Sequence, residues 1–134
     1  GNMFKGKITK VTPVTANTNI PLDVEYNTNN NTAFKGNTNT VSVIKPGFYS
    51  INGQLVVTDV AVGDISAQLY VNGEIVPEAT STATVAATTD FSTLPITDMI
   101  RVVPTTLDEN VEVSIQLSVA ASISSAVLIV ERIR

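Results

Sequence analysis

The chain is predicted to fold as an antiparallel β-sandwich with little or no helix. In residues 111–119 every odd position is aliphatic and every even position is polar, so the two sets lie on opposite faces of a strand. Thr and Val are frequent and suit a pleated surface. No window repeats with the 3.6-residue period of a helix. At 134 residues and 43% hydrophobic content, one domain over residues 1–134 is expected, with a core that needs no disulfide.

Polar turns separate the strand patterns of the first half. In chain order, the predicted strands span residues 5–11, 20–26, 33–35, 41–44, 48–58, 65–71, 74–76, 79–87, 96–103, 111–119 and 126–133. The second strand would place Leu22, Val24 and Tyr26 on one face. The fourth ends at Lys45-Pro46-Gly47, which is a turn signal. Residues 48–58 keep one phase across Asn52-Gly53, which favours a continuous strand, although that dipeptide also fits a two-residue hairpin turn.

The second half contains the strongest hairpin signal. Asn72-Gly73 separates two strand patterns, and both central positions of a type I′ turn need positive φ. Pro77 ends the return strand, and a strand of small residues follows. Residues 104–110 are predicted as a connection, and residues 120–125 as a turn before the last strand.

Charge argues against nucleic acid and membrane partners. The net charge is −4, and the early lysines are spaced along strands, not gathered in a patch. Aromatic residues make up 5%, too few for a stacking platform. Residues 113–130 carry no formal charge, but the alternation and the serines among them favour two adjacent strands over a membrane span.

The residue types available for chemistry are few, and no enzyme is expected. The chain has no His and no Cys, which removes the commonest general base and the thiolate nucleophile. Asp23 and Glu25 fit the outer polar face of a strand. Asp59 with Asp64, or the acidic turn at residues 108–110, could offer oxygen ligands to calcium, but neither has the ligand spacing of a known loop. No metal and no cofactor are predicted.

Exposed aromatic residues leave carbohydrate binding open. Tyr26, Tyr70 and Phe91 are the candidate ligand contacts, because sugar sites use aromatic platforms and Tyr70 lies on the polar phase of its strand. An outward tyrosine also serves as a cross-strand packing partner.

The last strand departs from the alternation. Residues 127–130 are aliphatic throughout, so one face can enter the core while the other needs a cover. Another copy of the chain is the expected partner.

The order of these patterns resembles the ten-strand jelly-roll domain of the C1q and tumour-necrosis-factor superfamily. Residues 47–51 (Gly-Phe-Tyr-Ser-Ile) match its Gly-x-Tyr strand, residues 69–73 (Leu-Tyr-Val-Asn-Gly) match its aliphatic strand ending in Asn-Gly, and residues 126–133 match its apolar last strand. The similarity spans about residues 20–134. Residues 107–113 lack the Gly-Asp pair of the family, so no family calcium site is carried over.

The resemblance implies an all-β jelly-roll sandwich core over residues 20–134, preceded by a strand and lead-in over residues 1–19. It also implies a homotrimer. The predicted trimer interface consists of Val127, Leu128, Ile129, Val130, Tyr49 and Ile51.

The Thr/Asn/Ser-rich surface and residues 43–50 (Val-Ile-Lys-Pro-Gly-Phe-Tyr-Ser) look more like bacteriophage head-fibre proteins and spore-surface tips than animal cytokines. The implied function is a non-enzymatic structural or adhesive module at a virion or extracellular surface, of phage or prophage origin, that contacts a host glycan or protein. The alternative is a lectin-like carbohydrate-binding module.

Overall fold

A computed structural model describes residues 3–28, 31–103 and 111–134 of the chain. These residues form two antiparallel sheets and one 3₁₀ turn, Pro77–Ala79. The strands are β1 (Met3–Ile8), β2 (Thr12–Val14), β3 (Asp23–Asn27), β4 (Thr32–Lys35), β5 (Thr40–Val43), β6 (Gly47–Thr58), β7 (Gly63–Val71), β8 (Glu74–Ile75), β9 (Ser81–Val85), β10 (Ser92–Val102), β11 (Val111–Leu117) and β12 (Ala121–Arg132). The predicted antiparallel sandwich is confirmed.

The first sheet, called sheet 1, has the strand order β10-β6-β12-β1-β3, with β2 pairing the start of β12. Its centre is the long strand β12, which pairs with β6 on one side and with β1 on the other. The first strand of the chain therefore lies inside the sheet, and Phe4 is fully buried.

The second sheet, called sheet 2, has the order β4-β5-β11-β7-β8, with β9 also pairing β7. The segment between β2 and β3 crosses from sheet 1 to sheet 2. There the Asn17 N–H donates to the Leu117 carbonyl at 2.8 Å and the Ile20 N–H to the Ile115 carbonyl at 2.9 Å. The predicted lead-in thus contacts both sheets, while the division of the domain at residue 19 stays a prediction.

The core lies between the sheets and follows the period-two pattern. In β11, Val113, Ile115 and Leu117 are buried, as the alternation of that segment predicts. The largest fully buried side chains are Tyr49, Phe4, Ile20, Ile51, Leu55, Ile65, Leu69, Leu94, Ile96, Ile115, Leu117 and Ile123.

The two Asn-Gly dipeptides considered as hairpin turns have different conformations. Strand β6 runs without interruption through Asn52-Gly53, so the continuous strand is confirmed and the hairpin alternative is wrong. Asn72 and Gly73 have φ of 52° and 77°, which confirms the predicted type I′ hairpin between β7 and β8.

Two other expectations are wrong. Residues 121–125 belong to β12 and not to a turn, because β2 and β6 pair with this segment, with an irregularity between Ile123 and Ser125. Leu22, Val24 and Tyr26 do not share one face as predicted. Leu22 is buried, but Val24 and Tyr26 are exposed on the edge strand β3, whose register shifts opposite Lys5 and Gly6.

Among the described residues, no helix is long and apolar enough to cross a membrane.

Candidate functional site

Four of the six predicted interface residues point into the protomer. Tyr49, Ile51 and Val130 are fully buried, and Leu128 is 1% exposed. Their side chains build the core between the two sheets, so in the folded protomer they lie behind the surface that a partner would contact. Their assignment to a trimer interface stays a prediction, but substitutions at these positions would change the interface only by destabilising the core of the protomer.

The other two, Val127 and Ile129, are half-buried on the outer face of sheet 1. Val127 lies opposite Gln54 of β6, and Ile129 lies opposite Asn52. Because β12 is central in the sheet, these aliphatic side chains sit in the middle of the face. The pattern predicts this arrangement, since residues 127–130 are apolar on both phases.

More apolar side chains lie on the same face of the neighbouring strands, beyond the polar residues that directly flank this pair. Phe48 and Val56 of β6 are half-buried on the same face, and Met99 of β10 is 59% exposed. Sequence reasoning did not single out Phe48 and Met99. The signal was present, because each occupies the outward phase of a strand whose other phase is buried.

Arginines gather around Phe48 at the end of the sheet where β12 ends. The guanidinium carbon of Arg101 lies 5.7 Å from the centre of the Phe48 ring, and that of Arg134 lies 5.3 Å away. Both distances are within the range of a cation–π interaction. Phe48 therefore holds two cationic groups at this corner of the outer face.

Arg132 has a different role at the same end. Its Nε and Nη2 donate to the Pro46 carbonyl at 3.2 and 3.0 Å, while the Tyr49 hydroxyl donates to the Lys45 carbonyl at 2.6 Å. Burial raises the pKa of Tyr49, and the nearby Arg132 partly opposes that shift. These contacts fix the turn that leads into β6.

A group of three ionic side chains lies on the outer face of sheet 1, where Lys5 is opposite Ile129 and Lys7 is opposite Val127. Glu25 of β3 contacts the Lys5 Nζ at 2.6 Å and the Lys7 Nζ at 2.9 Å. The hydrogen bond from Lys5, followed by that from Lys7, lowers the pKa of Glu25, and the hydrogen bond to Glu25 raises the pKa of Lys5. Glu25 is thus engaged in ion pairs, which does not suit a general base. Asp23 is exposed on the same strand.

The three predicted ligand contacts lie on different elements. Tyr26 is on β3 in sheet 1, and its hydroxyl donates to the Met3 sulfur at 3.2 Å. Tyr70 is on β7 in sheet 2, where it pairs with Ser114 and Ile75. Phe91 precedes β10 and is 67% exposed. They do not form one joint site, and each stays a separate prediction.

The carboxylates considered for calcium do not form a cluster in the described ranges. Asp64 accepts a hydrogen bond from Thr84 at 2.8 Å, and the backbone of Asp59 has φ of 56°. Within residues 3–28, 31–103 and 111–134 no three His, Cys, Asp or Glu side chains come together. The acidic turn at residues 108–110 lies outside the described residues.

A cavity of about 300 Å³ lies beside the end of β1. It is lined by Ile8, Thr9, Lys10, Thr12, Pro21 and Asp23. One lysine and one aspartate are its charged groups, and no hydrogen bond or ion pair between them was found. It offers less recognition chemistry than the outer face of sheet 1.

No protein-family profile and no curated protein sequence matches this chain. Solved structures match over nearly its whole length. The globular domain of zebrafish complement 1qA protein has a TM-score of 0.74 at 10% identity, covering 99% of this chain and 97% of that one. Eiger TNF from S. frugiperda has a TM-score of 0.72 at 10% identity, covering 98% and 93%.

The PRD1 vertex protein P5, a phage protein, has a TM-score of 0.61 at 13% identity, covering 98% of this chain and 96% of that one. This chain has the C1q/TNF-like jelly-roll fold. The predicted fold class is therefore confirmed, and the similarity also includes the segment before residue 20. At these identities the likeness concerns the fold alone.

Proposed function

We propose that this protein is a non-enzymatic structural module that assembles as a homotrimer at a virion or extracellular surface and contacts a host surface. The observation that carries the proposal is the position of Val127 and Ile129, half-buried on the outer face of the central strand β12. Neighbouring strands cannot cover that face. The only helix in the described residues is the 3₁₀ turn at Pro77–Ala79. A second copy of the chain provides the missing cover, as the jelly-roll resemblance also implies.

Energetics support association through this face. Burying apolar area contributes roughly 25 cal/mol per Å², and a stable interface removes on the order of 1,600 Å² from water. Ring closure around a threefold axis would leave no apolar face uncovered.

Light scattering coupled to size-exclusion chromatography tests the assembly. We expect the wild-type protein to have the mass of a trimer at micromolar concentration and Ile129→Asp to have a lower mass. Ile75→Asp is the matched control, because Ile75 is an exposed isoleucine on β8 of sheet 2 and should leave the mass unchanged. A monomeric wild-type protein would contradict the proposal.

Leu128 is not a suitable position for this experiment. Its side chain is 1% exposed within the protomer, so a charge there would be buried without a partner and would unfold the chain. Substitutions at Ile129 or Val127 change the outer face and leave the core intact.

The surface role draws support from the likeness to PRD1 vertex protein P5. Mass spectrometry of purified particles from the source culture tests virion membership, with the neighbouring genes as a second observation. We expect the protein in the particles and capsid or tail genes beside its own. Its absence from particles, together with unrelated neighbouring genes, would contradict virion membership and leave the trimer untouched.

The absence of enzymatic activity is part of the proposal. The sequence has no His or Cys, and Glu25 is occupied by two lysines. A hydrolytic turnover that disappears in Asp23→Asn would contradict it.

Carbohydrate binding is the second candidate function, favoured by Phe91. A phenylalanine that is 67% exposed presents a ring that can stack on a sugar. A glycan array of the wild-type protein and of Phe91→Ala tests this function. We expect binding that Phe91→Ala removes, and an array without binding at high protein concentration would reject the lectin-like role.

A further inference from the structure

We propose that Asn72, at the tip of the β7–β8 hairpin, is a site of spontaneous deamidation, and that its conversion to an isoaspartyl residue breaks the last link between β7 and β11. The inference goes beyond the proposed function and does not depend on the oligomeric state. The chain contains two Asn-Gly dipeptides, at residues 52–53 and 72–73. The structure gives them opposite surroundings, so only one of them is expected to react in the folded protein.

The reaction needs only the chain and water. The backbone nitrogen of Gly73 loses its proton and attacks Cγ of Asn72, and the Cγ–Nδ2 bond breaks to release ammonia. Water then opens the cyclic imide. Cleavage of the bond from the Gly73 nitrogen to Cγ gives an aspartyl residue, whereas cleavage of its bond to the main-chain carbonyl carbon gives an isoaspartyl residue. Glycine favours the attack because it has no side chain to obstruct the ring.

The two dipeptides have matched sequence contexts. Ile51 precedes the first and Val71 precedes the second, and both residues are β-branched. In the unfolded chain the two asparagines should therefore react at similar rates. A difference between them in the folded protein has to come from the structure.

The backbone around Asn72 is open to the reaction. Asn72 and Gly73 are exposed, with φ of 52° and 77°, and nothing lies within 4 Å of a Cβ built on Gly73. The Gly73 N–H has no hydrogen-bond partner in the described part of the chain. The attacking nitrogen is thus unengaged, and the tip can rotate into a ring-closing conformation at the cost of few contacts.

The side chain of Asn72 extends the pairing of β7 with β11. The ladder ends with Val71 opposite Val113. One residue further, the Asn72 N–H donates to the Glu112 carbonyl at 2.8 Å, and the Glu112 N–H donates to the Asn72 Oδ1 at 2.8 Å. Negative charge develops on that same oxygen when Cγ is attacked, so the Glu112 N–H also stabilises the tetrahedral intermediate.

Asn52 lies where the attacking nitrogen is restrained. Strand β6 pairs on both sides, and Gly53 is opposite Ile96 of β10 and Leu128 of β12. In a strand paired on both sides, the N–H of each residue is bonded to one of its two neighbours. Freeing the Gly53 nitrogen requires opening the middle of sheet 1, which costs nearly as much as unfolding the domain.

The two products should affect the hairpin differently. An aspartyl side chain can still accept the hydrogen bond from Glu112, although it adds a negative charge beside the carboxylate that pairs with Lys35. In the isoaspartyl product the main chain passes through Cγ and is one methylene longer. The acceptor is then part of the lengthened turn, and the bond from the Glu112 N–H is lost.

Peptide mapping by tandem mass spectrometry measures the reaction. Folded protein is incubated at mildly alkaline pH, and the isoaspartyl product is detected with an isoaspartyl O-methyltransferase as the probe. We expect Asn72 to convert roughly tenfold or more faster than Asn52, and the two to convert at similar rates in urea. Asn72→Gln is the control that should remove the product, because its longer side chain would need a larger and less favourable ring.

Amide hydrogen exchange measures the effect on pairing. The isoaspartyl form is separated by ion-exchange chromatography and compared with wild type and with Asn72→Asp by NMR. We expect the Glu112 N–H to lose protection in the isoaspartyl form and to keep it in Asn72→Asp. The Ile20 N–H, which donates to the Ile115 carbonyl at 2.9 Å, is the control and should stay protected in all three.

The outcomes separate this inference from the proposed homotrimer. The incubation is repeated in Ile129→Asp, because Asn52 lies opposite Ile129 and a partner subunit would also cover it. Slow conversion of Asn52 in that variant supports the ladder as the cause, and fast conversion would refute it. Equal rates at both sites in the folded wild type, or conversion of Asn72 in urea alone, would overturn the assignment of Asn72. Retained protection of the Glu112 N–H in the isoaspartyl form would refute the effect on β11.

Discussion

The hydroxyl of Tyr49 links the core to the turn before β6. The side chain is fully buried, and its hydroxyl donates to the Lys45 carbonyl at 2.6 Å. We expect Tyr49→Phe to lower the free energy of unfolding by about 1 kcal/mol at neutral pH, as measured by urea denaturation.

The raised pKa of Tyr49 predicts that the stability of the fold decreases at alkaline pH. Burial raises the pKa of Tyr49 above the unfolded value of about 10, so its neutral form stabilises the fold fully below pH ~10 and loses that contribution as the pH rises through the folded pKa. The stability difference between wild type and Tyr49→Phe should therefore narrow above pH ~10. A difference that stays constant to higher pH would contradict the assigned burial effect.

At the corner around Phe48, Gly47 cannot be replaced by a larger residue without strain. Its φ is +149°, and a Cβ would lie 2.7 Å from both the Arg132 Nε and the Arg134 carbonyl oxygen. We expect Gly47→Ala to lower the free energy of unfolding by roughly 1–3 kcal/mol. Gly36→Ala is the control, because nothing lies within 4 Å of its added Cβ. Equal stability of the two variants would contradict this explanation.

At the scale of elements, ionic contacts add to the backbone pairing that attaches β3 to β1. The hydrogen bonds from Lys5 and Lys7 lower the pKa of Glu25, so this stabilisation is present above the unfolded value of about 4.3 and disappears as the pH falls through the folded pKa. Because the group is exposed, the effect should be small.

We expect the stability of the wild type over Glu25→Gln to be measurable at pH 7 and to vanish at acid pH. Urea denaturation at a series of pH values measures it. Glu78→Gln should show no such loss, because Glu78 forms no ion pair with any residue in the described part of the chain. An advantage over Glu25→Gln that persists at acid pH would mean that the carboxylate acts through shape and not charge.

Strand positions were predictable wherever one face of a strand is buried. Period-two alternation identified β11 and the continuous β6, and positive φ requirements identified the hairpin at Asn72-Gly73. The start of β12 was not predictable, because Ser122 and Ser124 look like turn residues until β2 and β6 are known to pair with that segment. The prediction for edge strand β3 was wrong for the opposite reason. An edge strand with little buried surface has a weakly specified register, so alternation in its sequence does not fix which residues share a face.

At the scale of the whole molecule, the candidate site was only partly predictable. The run of apolar residues at positions 127–130 indicated an uncovered face. Without the second sheet, however, the sequence could not show whether the odd-numbered or the even-numbered positions enter the core. Val127 and Ile129 are on the outer face, whereas Leu128 and Val130 are in the core. Met99 and Phe48 can be assigned to the same face as Ile129 only from the register of β10, β6 and β12, which links residues far apart in the chain.

The proposed assembly also predicts how heat stability depends on protein concentration. A ligand or partner that binds only the folded state stabilises it by mass action, so the Tm of a trimer rises with protein concentration. We expect differential scanning calorimetry of the wild type to show this rise. In Ile129→Asp the rise should disappear while a cooperative transition remains, because the substitution lies on the outer face and leaves the core of the protomer unchanged. A wild-type Tm that is independent of concentration, in a range where light scattering reports dissociation, would mean that the outer face of sheet 1 contributes nothing to the stability of the fold.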